Sequence, residues 1–267
     1  SNLRNTIILT VHNKVDSINT ILYSIENTVS IWTRDLIIVL DGCNDGTCEV
    51  VNDFVRDSIL NVKVCTTPDV WETIANNVGM KQVSTELLTI IQDDMFIEEV
   101  HWDQKMALNF IDKAVAGVTA RTGLDVFFDD NQILIGKNFI GREYPYGAST
   151  VFGRLVAKYR ALTQSFKPIN KSLWPVQRSI INRGPLMLRV EAVEKLNYFD
   201  EKFAPFEFDD ADFCLRAAIE FNYKFLVYPV AYNEIGGSKR NSSISSSMSK
   251  KCIVKNSKIL YDRYEKK

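Results

Sequence analysis

A chain of 267 residues, 46% hydrophobic and 24% charged, carries enough apolar material to bury one large core. A formal net charge of −1 lacks the electrostatic footprint of a nucleic-acid binder. No apolar run approaches the roughly 20 residues that cross a bilayer. Five cysteines, an odd number without a C-x-x-C pair, indicate neither a disulfide framework nor a zinc ribbon, and two histidines, His12 and His101, make a Ser-His-Asp triad or a His-rich metal site hard to assemble. The N-terminus has no signal-peptide core, so the expectation is a soluble, cytoplasmic domain.

In chain order, Thr6 to Val11 is a β-branched run, followed by Ile18, Ile21, Leu22 and Ile25 at amphipathic-helix spacing. Asp35 to Leu40 repeats the strand pattern and runs into the turn-forming Asp41-Gly42-Cys43-Asn44-Asp45-Gly46-Thr47, ahead of a helix bearing Val50, Val51, Phe54 and Val55. Val62 to Thr66 reads as a third strand, Trp71 to Val83 as a third helix and Leu87 to Gln92 as a fourth strand. This alternation predicts an α/β fold with a mostly parallel sheet covered by helices on both sides.

The fourth strand runs into Asp93-Asp94, with more acid at Glu98 and Glu99. Ligands of open α/β sheets sit at the carboxyl ends of parallel strands, where an acidic pair can hold a divalent cation and through it a phosphate. An alternative is that the pair caps a helix starting near His101. Asp41 ends the second strand on the same sheet edge, where it can accept from a base or ribose; the alternative is a turn-starting Asp bonding its own backbone.

Phe127 to Asn131 suggests a hairpin turn. The region around it is dense in aromatic and basic groups, including Arg142, Tyr144, Tyr146, Arg154, Tyr159, Arg160 and Trp174, which suit sugar recognition, a lid or a partner interface equally. Arg183 to Arg189 is a strand, and a short helix passes through Val193 and Leu196. Glu207, Asp209, Asp210 and Asp212 fall in the first turn of a helix whose apolar face is Phe213, Cys214, Ala217, Ala218 and Phe221. Acids there complement the helix dipole, but these four exceed what one cap needs, which favours a functional role. Tyr223 to Val230 is a last strand. Lys239 and Arg240, in a Gly-Gly-Ser loop, can close over a diphosphate or belong to a plain linker. Residues 241–247 read as a flexible serine-rich stretch, and Ser249 to Lys267 as a short basic helix that docks on the body or touches an anionic surface.

With these residues in place, the chain resembles the family 2 inverting glycosyltransferases of the GT-A fold. Thr10-Val11-His12-Asn13 resembles that family's first nucleotide loop, and Asp41 to Thr47 its D-G-S-x-D-G-T turn. Ala75-Asn76-Asn77-Val78-Gly79 is similar to its A-x-N-x-G helix, and Gln92-Asp93-Asp94 sits where the D-x-D motif belongs. Phe199 to Phe203 matches F-D-E-x-F, and Asp209 to Ala217 matches E-D-x-D-L-x-x-R-A. The resemblance implies a single GT-A domain over 1–240, with a nucleotide-sugar half at 1–100 and an acceptor and catalytic half at 101–240, followed by the segment 241–267.

The implied reaction is inverting transfer of a sugar from a nucleotide-diphosphate sugar, a UDP-sugar favoured, to a glycan or other hydroxyl acceptor, assisted by Mn²⁺ or Mg²⁺, as in polysaccharide biosynthesis. Thr10, Val11, Asn13, Asp41, Asn77, Asp93, Lys239 and Arg240 are expected on the donor, Asp94 on the metal and Asp210 as the catalytic base. Asp209, Asp212, Arg183, Gly184 and Trp174 are expected at the acceptor or in support. The departures are that Gln92 replaces the first acid of D-x-D, that the family's E-D pair is here Asp209-Asp210, and that Tyr232-Asn233-Glu234 stands where relatives place a metal-binding His. A nucleotidyltransferase making nucleotide sugars is the competing enzyme, disfavoured because Val11-His12-Asn13-Lys14 lacks a glycine-rich phosphate loop. Retention of both acidic clusters argues against a non-catalytic sugar- or nucleotide-binding module.

Overall fold

Parallel strands joined by helices build the N-terminal half of the computed structural model, which describes residues 3–124, 126–129, 132–135, 140–141, 175–235 and 242–264. The elements run β1 (Asn5–Val11), α1 (Ile18–Thr28), β2 (Thr33–Asp41), α2 (Thr47–Asp57), β3 (Asn61–Thr67), α3 (Trp71–Met80) and β4 (Leu87–Gln92). Strand residues are apolar on both faces because helices cover both. Ile7, Leu9, Leu36 and Ile38 pack with α1 and with Val51 and Phe54 of α2. Ile8, Ile37 and Val39 pack with Ala75 of α3 on the other side. At Gly79 a Cβ would lie 2.5 Å from Ile8 Cγ2, so only glycine lets α3 approach the sheet this closely. Thr10 pairs with Val39 on one side and Gln92 on the other, which brings the carboxyl ends of β1, β2 and β4 level on one edge.

The C-terminal half adds β5 (Met95–Ile97), α4 (Trp102–Ala107), β6 (Val115–Thr119), β7 (Thr122–Leu124), β8 (Val126–Asp129), β9 (Gln132–Ile135), β10 (Ile140–Gly141), β11 (Val176–Arg178), β12 (Ile180–Ile181) and β13 (Leu186–Arg189). After these come α5 (Val190–Lys195), α6 (Asp209–Phe221), β14 (Lys224–Val227), β15 (Tyr232–Glu234) and α7 (Ser242–Tyr264). The main sheet has the order β11-β14-β6-β13-β4-β1-β2-β3. Only β13 and β11 run against the rest, so the expected mostly parallel sheet is what forms. The hairpin expected around Phe127 to Asn131 is present as the β8–β9 pair.

Several boundaries differ from the sequence reading, for physical reasons. β13 starts at Leu186 rather than Arg183 because Gly184, at φ +108, and Pro185 interrupt the extended chain. β14 ends at Val227, two residues before Pro229, which has no N–H for a ladder. α7 begins at Ser242, inside the stretch expected to be flexible. Serine tolerates a helix, and burial of Cys252, Asn256, Leu260 and Tyr264, four residues apart, fixes one face of it to the body. The expected docking of the C-terminal helix therefore occurs. Arg142, Tyr144, Tyr146, Arg154, Tyr159, Arg160, Trp174, Lys239 and Arg240 lie outside the described residues.

Candidate active site

The level strand ends meet at a cleft whose floor is an ion pair. Lys14, just past β1, is 1% exposed, and its Nζ lies 3.4 Å from Asp93 Oδ1. The backbone N–H of His12 donates to Asp93 Oδ2 at 3.0 Å. Burial pushes the Asp93 pKa up while Lys14 and the His12 N–H pull it back. Both acids sit in the turn that follows β4, and Asp94 lines the same cleft as Asp93. Asp94 Oδ1 is buried and has no hydrogen-bond partner among the described residues. Burial, and then the charge of Asp93, push its pKa up to about 6. The helix-cap alternative for this pair fails, because β5 follows directly and the capping residue of α4 is His101.

β5 pairs with β15, placing Glu234 opposite Met95, and Ile235 N donates to the Asp94 carbonyl at 2.7 Å. Glu234 thereby joins Asp94, while Arg121 reaches Glu234 Oε1 at 3.5 Å and donates to Gln92 Oε1 at 3.2 Å. Gly184 fits beneath this group: a Cβ there would overlap the Met95 methyl and lie 3.1 Å from Gln92 Oε1.

At the end of β2, Asp41 is wholly buried and accepts from Thr67 Oγ1 at 2.9 Å, Val70 N at 2.8 Å and Trp71 N at 2.9 Å. It organises the loop between β3 and α3. The turn-bonding role that the sequence left open for Asp41 belongs to Asp45, which accepts from Thr47 N at 3.1 Å. His12 Nδ1 must donate to the Asp41 carbonyl at 2.6 Å, since a carbonyl only accepts, leaving Nε2 to accept from Asn13 Nδ2 at 3.3 Å. Asn13, in the left-handed region at φ 52, accepts from Asn44 N at 2.8 Å and so joins the two loops. Ligand atoms of His12, Asp41 and Asp69 lie within 4.8 Å of one another, a grouping able to hold a metal ion. Thr10 Oγ1 donates to Asn76 Oδ1 at 2.9 Å, and both residues line the cleft.

Two donor-side expectations need correction. Val11 sends its side chain into the core, and its carbonyl takes the Cys43 thiol. Asn77 turns away from the cleft: its amide donates to Phe199 O at 2.9 Å and Glu201 Oε1 at 3.1 Å and accepts from Phe199 N at 3.1 Å. Its role is to clamp the Phe199 to Phe203 loop, and Asn76 takes the place expected for it.

The acidic turn is buried, with Asp209 and Asp212 at 0% and Asp210 at 8% exposure. Asp209 Oδ2 accepts from Thr73 Oγ1 at 2.8 Å and from Arg183 Nη1 at 2.5 Å, and Arg183 Nη2 pairs with Glu72 at 3.0 Å. Burial works against the Arg183 charge, but Asp209, Glu72 and Asp210 outweigh it and raise the pKa. Asp210 accepts from Ala211 N at 2.8 Å and Arg183 N at 3.3 Å, and burial pushes its pKa up against the pull of Arg183. Asp209 and Asp212, both expected at the acceptor or in support, take different partners. Asp212 faces α7 and accepts from Arg216, Arg263 and Tyr264. Sequence reasoning missed Lys14, Glu72 and Arg121, and it named Glu234 only with Asn233, where relatives place a metal-binding His. The one signal for Lys14 was a cation just after a strand whose parallel neighbour ends in Asp93; Glu72 and Arg121 converge on the site only through long-range packing.

No similar sequence was found among curated proteins. Among solved structures, the chain is similar to "Mannosyltransferase PcManGT from Pyrobaculum calidifontis in complex with GDP-Man and Mn2+", with a TM-score of 0.61 and 16% identity over 94% of this chain and 62% of that one. It is also similar to S. aureus TarS 1-349, with a TM-score of 0.54 and 18% identity over 86% of this chain and 59% of that one. TarS 1-349 in complex with UDP gives a TM-score of 0.52 and 17% identity over the same 86% and 59%. At such identities the likeness shows the GT-A fold, and the chain spans only 62% and 59% of those chains. The model of the family "Glycosyl transferase family 2" matches residues 6–174, well over half of the 267 residues. On that match the chain belongs to glycosyl transferase family 2.

Proposed function

We propose that this chain transfers a sugar with inversion from a nucleoside-diphosphate sugar, a UDP-sugar first among them, to a glycan or other hydroxyl acceptor, with Mn²⁺ or Mg²⁺ assisting. One observation carries the reading: the buried Asp94 Oδ1 has no hydrogen-bond partner among the described residues, at the strand end where a diphosphate would lie. An unpartnered buried carboxylate oxygen is unfavourable unless a ligand completes it, and oxygen donors suit hard divalent cations. Asp94, with Glu234 beside it, fits such an ion; bound there, it would neutralise charge on the departing diphosphate. The group of His12, Asp41 and Asp69 fits less well, because three hydrogen bonds already occupy the Asp41 carboxylate. The neighbours' GDP-Man, Mn²⁺ and UDP complexes support a nucleotide-linked donor.

The chain's own residues then divide the work. Lys14 holds Asp93 in place to accept from the ribose, and Asp41 with Asn13 and His12 frames the nucleoside. Asp210 takes the acceptor hydroxyl's proton as that oxygen attacks the anomeric carbon and the bond to the diphosphate breaks. A carboxylate with a raised pKa suits that task. Lys239 and Arg240 pair with the diphosphate and Trp174 serves the acceptor. Exposed Lys250, Lys251 and Lys255 on α7, beside Ile253 and Val254, offer a peripheral contact to an anionic membrane surface. Among the described residues no helix is long and apolar enough to cross a membrane.

The test is release of nucleoside diphosphate from a panel of UDP- and GDP-sugars with acceptor, with Mn²⁺, with Mg²⁺ and with chelator. The expected result is cation-dependent turnover that Asp94→Ala abolishes. Full turnover in chelator, or in Asp94→Ala, rejects the metal assignment.

A further inference from the structure

Asn256 is wholly buried on the inner face of α7, and its Nδ2 faces three backbone carbonyls: Phe203 at 2.7 Å, Phe206 at 2.9 Å and Glu207 at 2.9 Å. Its Oδ1 is buried without a partner among the described residues. Were this position needed only to pack a helix, an apolar residue would fill it without burying an unsatisfied oxygen. What the amide supplies, and an apolar residue does not, is donors for those carbonyls.

The segment it grips is under strain. Glu207 and Phe208 sit at φ 76 and φ 68, a left-handed conformation unfavourable for side chains with a Cβ, and they open directly into Asp209 and Asp210. On its other side, Thr73 N donates to Pro205 O at 3.1 Å, and the Trp71 ring stacks on Phe206 at 5.3 Å. A second tie from α7 lies beyond the acids. Arg263 donates to Asp212 and to Asp200, each at 2.6 Å, and Tyr264 donates to Asp212 at 2.8 Å. The acidic turn is thus held before and after Asp210 by one helix from the far end of the sequence.

We infer that Asn256 and Arg263 are positioning residues for the base: by holding the Phe203 to Glu207 carbonyls and Asp212, they fix the strained turn that aims Asp210. The inference rests on Asp210 being the base. Neither residue touches the donor edge, so their effect falls on kcat and not on donor binding.

The test compares wild type with Asn256→Ala and Arg263→Gln by circular dichroism, steady-state kinetics and calorimetric binding of UDP with Mn²⁺. Each variant should lose roughly ten- to hundredfold in kcat, the scale of a displacement of about 1 Å at a reacting group. Donor KM and UDP affinity should stay within about twofold, and the acidic limb of the pH–kcat profile should move, because the surroundings of Asp210 change. A lowered melting temperature with wild-type kcat and pH profile in the folded variants is a merely structural role and overturns the inference. Should Asn256→Ala not fold, Arg263→Gln decides by the same readouts. Asp210→Asn separates the two levels: if it keeps turnover, the base assignment fails; if it loses turnover while both positioning variants keep theirs, only this inference fails.

Discussion

Arg183 bridges the two halves of the site, with Nη1 2.5 Å from Asp209 Oδ2 on α6 and Nη2 3.0 Å from Glu72 Oε2 on α3. Asp209 is fully buried and Glu72 is 40% exposed, so the Asp209 arm dominates the energetics. Removing one partner leaves a buried charge uncompensated. Arg183→Met is therefore expected to lose about 3–5 kcal/mol of stability. Arg183→Lys, which cannot serve both carboxylates as a planar fork does, should recover only part of it. Urea unfolding checks this, and a loss below about 1 kcal/mol in Arg183→Met would show that the bridge is not a structural tie.

With Asp94 as the proposed cation ligand, stability and cation binding are expected to depend on pH in opposite senses. The Asp94 pKa is raised from 3.8 to about 6, so the folded state holds the proton more tightly than the unfolded one. The sign follows: this group favours folding below about pH 4, and the advantage is lost as pH rises to about 6. Asp94→Asn should therefore stabilise the cation-free protein at pH 8 by on the order of 2 kcal/mol, with no gain near pH 4. Mn²⁺ affinity should fall about tenfold per pH unit below 6 in wild type and be lost in the variant. Calorimetry at pH 5, 6 and 7 reads this directly, and a flat profile contradicts it.

Asp210→Asn should cost about 10²–10⁴-fold in kcat with donor affinity nearly unchanged, the usual contribution of a general base. Because burial raises the Asp210 pKa, wild-type kcat should decline on the acidic side at a pH above the ordinary carboxylate range. Wild-type turnover in Asp210→Asn, with the loss appearing in Glu207→Gln instead, would move the base within the same turn.

Asp41 is expected to serve the fold as well as the proposed donor. Its three hydrogen bonds to Thr67, Val70 and Trp71 predict a fold penalty, which a purely ligand-facing carboxylate would not show. Asp41→Asn loses at least one acceptor and should cost about 1–3 kcal/mol in stability as well as weakening donor binding. Thermal unfolding and titration with UDP check it together; unchanged stability would mean the loop between β3 and α3 holds itself.

Much of this architecture was legible from residues close together in sequence. The strands β1 to β4, the helices between them and the placement of Asp41 and Asp93-Asp94 at strand ends follow from periodicity and turn chemistry, which act over a few residues. Gln92-Asp93-Asp94 and Asp209-Asp210 stand out because charge at the end of an apolar strand or in one helix turn is a local anomaly. What the residue pattern could not determine is which of these groups has a partner. Asp94 meets Glu234 only because the three-residue strands β5 and β15 pair across the chain, and strands that short carry no period to read. Asn77 and Asn76 share one helix and the same residue type, yet only packing sends one to Phe199 and the other to the cleft. Asp209 and Asp212 were equivalent acids until Arg183 and α7 claimed one each. Local sequence sets the elements and supplies the charges; the tertiary structure alone decides which charges are neutralised by partners and which stays unpartnered among the described residues, because that depends on distances between segments far apart in the chain.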